Sequence, residues 1–171
     1  MNNLRRAIVW LSRVGHCRGF GIQSPTDYAF VRYVINEHWP YYAYDQLGGG
    51  DWLRRKQGRL CFRLANWRQP SVIVDQTHQA EYLQAGCRRA RIVPSADTIQ
   101  LACLPVDCDY QSVLARCDSR SVVYFHDIWQ QPRQWRAIVA DPRSRITYDL
   151  YYCGIALFDP QRTKQHYIIN F

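Results

Sequence analysis

The stretch "SVIVDQTHQAEYLQAGCRRARIV", residues 71–93, decides the fold. It begins with a short β-branched run that ends in an acid at Asp75. A helical piece, "AEYLQAGC", follows and stops at Gly86, and a second short strand lies within "ARIVP" at 90–94. Strand, helix, strand in so few residues implies a right-handed crossover between parallel strands. Downstream the pattern repeats. "TIQLACLPVD" (98–107) reads as a strand broken by Pro105, "YQSVLARC" as a helix, "SVVYF" as a strand and "PRQWRAIVAD" as a helix. "ITYDLYYCGIALF" and "QHYIINF" read as two final strands. Alternation of this kind predicts an α/β fold with a mostly parallel sheet covered on both faces and an antiparallel C-terminal edge.

Upstream the period is helical. "NLRRAIVWLSRVG" places Leu4, Ile8 and Leu11 at helical spacing and stops at Gly15. In "SPTDYAFVRYVINEHW", Ser24 is a candidate cap, Pro25 takes the first helical position and Asp27 the third. The glycine run at 48–50 marks a break before "DWLRRKQGRLCFRLANWRQ". There Trp52, Leu60, Phe62 and Leu64 predict a partly buried helix, interrupted or kinked near Gly58. The expected organisation is one domain: a helical cap over 1–70 and an α/β core over 71–171.

The chain has 171 residues, of which 47% are apolar and 14% aromatic, enough for a sizeable core. Lys and Arg number 22 against 14 acids, a net charge of +8. Such a balance favours anionic partners, among them nucleic acid, anionic small molecules and acidic protein surfaces. The cations come in small clusters (Arg5-Arg6, Arg54-Arg55-Lys56, Arg88-Arg89 with Arg91) that also suit a solvated face. "AIVWL" is too short for a signal core or a membrane span. Seven scattered cysteines then predict a cytoplasmic protein with reduced thiols and no membrane partner. Cys103, Cys108, Cys117 and His126 lack the tight spacing of a zinc knuckle, and buried, inert cysteine is the better reading.

In open α/β sheets ligands collect at the carboxyl ends of the strands. Three strands here close on titratable residues: Asp75, Asp107 and the pair His126-Asp127. Structural alternatives are a hydrogen-bonded strand-end His126 and an Asp127 that caps the helix near Pro132. Tyr41, Tyr42 and Tyr44 form an aromatic cluster suited to stacking on a base or to capping a core edge. His166 reads as structural on the last strand, and His78 is a possible base near Asp75 without a positioned substrate.

"GFGIQSP" followed by "DYAF", "YYAYDQL", "RLCFRLANWRQP", "SVVYFHDIW" and the ending "YDLYYCGIALFDPQRTKQHYIINF" resemble a group of class I S-adenosylmethionine-dependent methyltransferases of Bacteroidetes type. Its members carry a "HGIHSPFVY"-like start and a "KQHF.IRF"-like end. The resemblance covers most of the chain and implies a reduced, Rossmann-like methyltransferase-type sheet. Members also carry an E-x-G-x-x-x-G loop after the strand that "RQPSVIV" matches, and here "VDQTHQAEYLQAGC" has no glycine between Asp75 and Gly86. Either "SVIVD" is that first strand with its loop rewritten, or it is the second strand and a strand-helix unit is lost. The second fits the short chain and puts Asp75 near the ribose-binding acid.

By the same resemblance Asp107 falls on the acid of "FIDGNHRY" and Asp127 on the second acid of "VLIFDDIHW", with His126 replacing the first. Asp75 and Asp107 are thus implied cofactor-binding residues. His126 and Asp127 are the implied catalytic pair, and Asp107, His126 and Asp127 an implied ligand set for a divalent metal such as Mn2+, Fe2+ or Zn2+. Without the glycine loop, weak or absent S-adenosylmethionine binding is expected, as in a pseudoenzyme with a binding or regulatory role. The alternative is an active O-methyltransferase that uses the Asp107/His126/Asp127 strand ends.

Overall fold

The computed structural model describes residues 3–17, 19–47 and 49–171, so Gly48 of the glycine run lies outside the described residues. Before the sheet the described residues form four α-helices, α1 (Asn3–Ser12), α2 (Pro25–Phe30), which runs into a π-helical turn over Val31–Ile35, the short α3 (Ala43–Gln46), and α4 (Trp52–Arg68), with a 3-10 turn over Val14–His16 after α1. The start of α2 is as its sequence predicts. Ser24 accepts from the Asp27 amide and Pro25 occupies the first turn. Asp51 caps α4 by accepting from the Arg54 amide at 2.8 Å.

The core holds β1 (Val72–Asp75), α5 (Ala80–Gly86), β2 (Arg91–Val93), β3 (Ile99–Pro105), α6 (Tyr110–Ala115), β4 (Cys117–His126), α7 (Pro132–Ala140), β5 (Ile146–Asp149), β6 (Cys153–Leu157) and β7 (Gln165–Ile168). Seven strands form one sheet in the order β2-β1-β3-β4-β6-β5-β7. The β2-β1-β3-β4 run is parallel, β6 is antiparallel to both β4 and β5, and β7 runs parallel to β5 at the outer edge. This is an α/β sheet, consistent with a Rossmann-like arrangement.

The chain leaves β1 outward to β2 and then crosses back over β1 to β3. Strand order therefore reverses between β1 and β3, the switch point at which doubly wound sheets bind ligands. "SVIVD" lies beside this switch whether it is a first strand or a second strand next to a lost unit, because both give the order β2-β1-β3-β4.

Each central strand alternates between two cores. On one face Ile73, Leu101, Cys103, Val122 and Tyr124 meet Leu60, Leu64 and Leu83 of α4 and α5. On the other, Val74, Ala102, Leu104, Val123 and Phe125 meet Leu114, Trp135 and Ile138 of α6 and α7. Burial on both faces is why these strands read as unbroken apolar runs.

Two expectations need correction. "ITYDLYYCGIALF" is a hairpin of two strands, β5 and β6. Its turn places Tyr151 at φ +68, with the Tyr151 amide donating to Asp149 Oδ1 at 2.8 Å. Nor is α4 interrupted at Gly58. It is continuous, and Gly58 is there because the Tyr82 ring of α5 lies where a Cβ would stand.

Candidate functional site

The site begins with Asp75 at the carboxyl end of β1. Its Oδ1 accepts from the Thr77 amide and the Thr77 hydroxyl, both at 2.8 Å, and its Oδ2 from the Gln79 amide at 3.0 Å. The loop "DQTHQ" therefore folds around its own acid, with His78 in the left-handed region at φ +58. In a phosphate- or carboxylate-binding strand-to-helix turn, such amides face the ligand. Here the protein's own carboxylate takes them. Beneath the loop the Gln79 side chain is buried, and its Oε1 finds no donor among the described residues. Gln76 ties the loop to the neighbouring strands through its amide to the Cys103 carbonyl at 2.9 Å and its Nε2 to the Pro94 carbonyl at 3.0 Å.

At the end of β4, Asp127 takes a left-handed conformation, φ +55. Its Oδ1 accepts from Gln57 Nε2 at 3.3 Å and from the Trp129 indole at 3.4 Å, and its Oδ2 from Gln130 Nε2 at 2.8 Å. Gln57, on α4, is buried and also donates to the Tyr152 carbonyl at 3.3 Å, so α4 is pinned over this end of the sheet. Asp127 does not cap α7. That helix starts at Pro132 after Gln131, which gives no side-chain cap.

His126 Nε2 lies 3.5 Å from Asp127 Oδ2, and Nδ1 lies 3.4 Å from the Tyr124 hydroxyl. Burial lowers the His126 pKa against the opposing pull of the Asp127 and Asp75 carboxylates, so the imidazole is neutral at pH 7. A folded pKa below the unfolded one means that stability from neutral His126 is present above the ordinary value and is lost as pH falls through the folded one. Behind this edge Cys61 Sγ lies 3.9 Å from Cys103 Sγ, and burial pushes the Cys61 thiol and the Tyr124 phenol up. Both therefore stay protonated and unreactive at neutral pH. All seven cysteines are unpaired.

Asp107 follows Val106, whose amide donates to the His126 carbonyl at 3.2 Å. It lies two residues beyond the end of β3, exposed in the turn that leads to α6. Among the described residues no group of three or more His, Cys, Asp or Glu side chains is placed to hold a metal. His126 and Asp127 are in contact and the Asp75 carboxylate also acts on His126 electrostatically, while no side-chain bond joins Asp107 to either among the described residues.

The other residues singled out from sequence also find places. Tyr41 and Tyr44 pack on Phe62 with ring centroids 4.8 and 5.1 Å away, at a core edge, while Tyr42 is fully exposed. His78 is exposed, and His166 Nδ1 lies 2.8 Å from the Thr147 hydroxyl. Sequence reasoning missed Gln57, which directly follows Arg54, Arg55 and Lys56, so its neighbours gave no signal that its side chain is buried.

The geometry defines an α/β protein in which the strand-end carboxylates of Asp75 and Asp127 are bonded by donors of their own chain. Comparison with protein-family models, with curated proteins and with solved structures finds no match. No helix among the described residues is long and apolar enough to cross a membrane.

Proposed function

We propose that the chain is a reduced methyltransferase-like module without a working S-adenosylmethionine site, and that it serves in binding or regulation rather than catalysis. The observation that carries this reading is the Asp75 carboxylate, which occupies the Thr77 and Gln79 amides of its own loop. A cofactor would have to displace an anion covalently fixed beside those donors. It would also have to pass Thr77 and His78 where the resembling family has glycines. The residue types at the strand ends suit a hydroxyl-orienting or proton-accepting site, and a neutral His126 would be the base.

A calorimetric titration with S-adenosylmethionine and S-adenosylhomocysteine tests the proposal. Micromolar affinity corresponds to roughly 8 kcal/mol. With the loop filled we expect no saturable heat up to about 1 mM ligand, where the binding energy is only about 4 kcal/mol. A micromolar dissociation constant would overturn the reading.

A further inference from the structure

Beside α4 lies a cavity of about 840 Å³, within the range of small-molecule sites. Its wall carries a row of cations from α4: Arg55, Arg59 and Arg63 at successive turns, with Lys56 beside them. Arg63 is committed, donating to the Val34 and Ile35 carbonyls at 2.6 and 2.8 Å, and Arg55 donates to the Gly50 carbonyl at 3.0 Å. Lys56 and Arg59 have no ion pair among the described residues and rest only on ring faces. Lys56 Nζ lies 4.5 Å from the Phe171 ring centroid and 5.1 Å from that of Trp52, and the Arg59 guanidinium lies 4.8 Å from that of Tyr44. Of the two carboxylates lining the cavity, Glu37 accepts the Tyr41 hydroxyl at 2.8 Å and Asp45 is exposed.

Asn36 lines the same space, is 8% exposed, and its Nδ2 finds no acceptor among the described residues. A buried donor without an acceptor and a half-buried ammonium without a counter-ion both carry a desolvation cost that an anion would relieve. Burial holds the Lys56 pKa down to about 8, with Arg63 and Arg6 adding to the effect, so the side chain is largely cationic at pH 7 and lacks a neutralising neighbour. Trp10, Trp39 and Trp52 line it too, beside Cys17, Ile35 and Asn170, and the Trp52 ring already carries the Arg6 guanidinium 3.7 Å from its centroid. A bare inorganic anion would leave these rings unused, and an uncharged aromatic would leave the ammonium and the amide unpaired. Ring faces beside free cations are how proteins hold a base and its phosphate together.

We propose that this cavity binds a nucleotide unit, its base against the tryptophan faces and its phosphate on Lys56, Arg59 and Asn36 Nδ2. The site does not depend on the strand-end loop, so its success or failure is separate from that of the cofactor titration.

The test follows tryptophan fluorescence and calorimetry with AMP, GMP, CMP and UMP, alongside adenosine, inorganic phosphate and a short oligoadenylate. At least one mononucleotide should saturate below about 1 mM, and adenosine and phosphate should each bind about tenfold or more weakly than AMP. Oligoadenylate tighter than AMP by about tenfold would make the natural ligand a strand, and equal affinity a free nucleotide. Lys56→Met should weaken nucleotide binding about tenfold while raising the melting temperature, because an unneutralised half-buried charge is removed. A merely structural lysine would not move the two readouts in opposite directions. Arg59→Gln, at an exposed position, should weaken binding severalfold with the melting temperature unchanged. No binding by any mononucleotide, phosphate binding as tight as AMP, or binding unaltered in both variants would each overturn the proposal.

Discussion

Asp27→Ala should unfold at a urea midpoint far below that of the wild type, with a stability loss of about 3–5 kcal/mol. Asp27 is 1% exposed. Its Oδ1 accepts the Tyr148 hydroxyl at 2.7 Å and Arg162 Nη2 at 2.5 Å, and its Oδ2 the Tyr167 hydroxyl at 3.1 Å. One carboxylate on α2 thereby holds β5, β7 and the segment between β6 and β7. Removing it leaves the Arg162 charge and a buried phenol without their acceptor, and the cost of such orphans exceeds the net worth of the bonds themselves. Against the 5–15 kcal/mol that holds an ordinary domain together, the loss is a large share. Asp27→Asn keeps the shape but not the charge and should cost about half as much.

The same carboxylate sets an acid limit. Burial would raise its pKa, but hydrogen bonds from Tyr148 and Arg162 and the guanidinium charge outweigh burial and hold it below the ordinary carboxylate value. Burial together with the facing Asp27 raises the Tyr148 phenol, which stays a donor. With the folded pKa depressed, stability from Asp27 is complete above the unfolded value near 3.9 and is lost as pH falls through the folded one. Between pH 5 and pH 2 the wild type should therefore lose more stability than Asp27→Asn. Parallel pH profiles of the two would refute the assignment.

Gly86→Ala is the second large effect. Gly86 ends α5 against α4, where an added methyl would collide with the Phe62 carbonyl oxygen and crowd Ala65. The obstacle is backbone in the middle of a helix, which cannot rotate aside as a side chain can. Overpacking of this kind costs typically 1–3 kcal/mol, and here the upper end is expected because α4 also carries Gln57 over the strand ends and the cation row of the cavity. Thermal melts should show a drop of about 5–10 °C. A variant as stable as the wild type would mean that the two helices can part without consequence.

Much of the sheet was legible because strands buried on both faces announce themselves as apolar runs, as residues 71–75 and 121–125 do. The β5-β6 turn was not, because "DLYYCG" reverses direction without a glycine or proline at the turn. Tyr151 adopts the left-handed conformation with Asp149 bracing its amide, while the nearby Gly154 lies in β6 under the Trp135 ring. Gly58 misled for a related reason: a glycine in a helix suggested a kink, but its cause sits on α5, 24 positions away in sequence at Tyr82. The acids at the strand ends were visible, yet whether Asp75 faces a ligand or its own loop depends on the conformation of Thr77 and His78. Asp27 read only as a first-turn acid, because its partners lie 121 to 140 residues further on. The cavity's cations had a signal, the repeat of Arg55, Arg59 and Arg63 every fourth residue.

Arg13, just after α1, donates to the Asp149 side chain at 2.7 Å and to its carbonyl at 2.9 Å, and Asn170 Nδ2 donates to the Trp10 carbonyl at 3.2 Å. Cys17 bridges alongside Asn170. The α1 region thus has its anchors 136 to 160 residues further along the chain. At about 5–20 residues per second, α1 waits roughly seven to thirty seconds for Asp149 and Asn170 to be made, with Val9, buried in the folded chain, uncovered throughout. Nascent chains stalled before β5 should accordingly be cut by protease within the first helix, while completed chains are spared, and equal protection of both would show that α1 docks without its late partners.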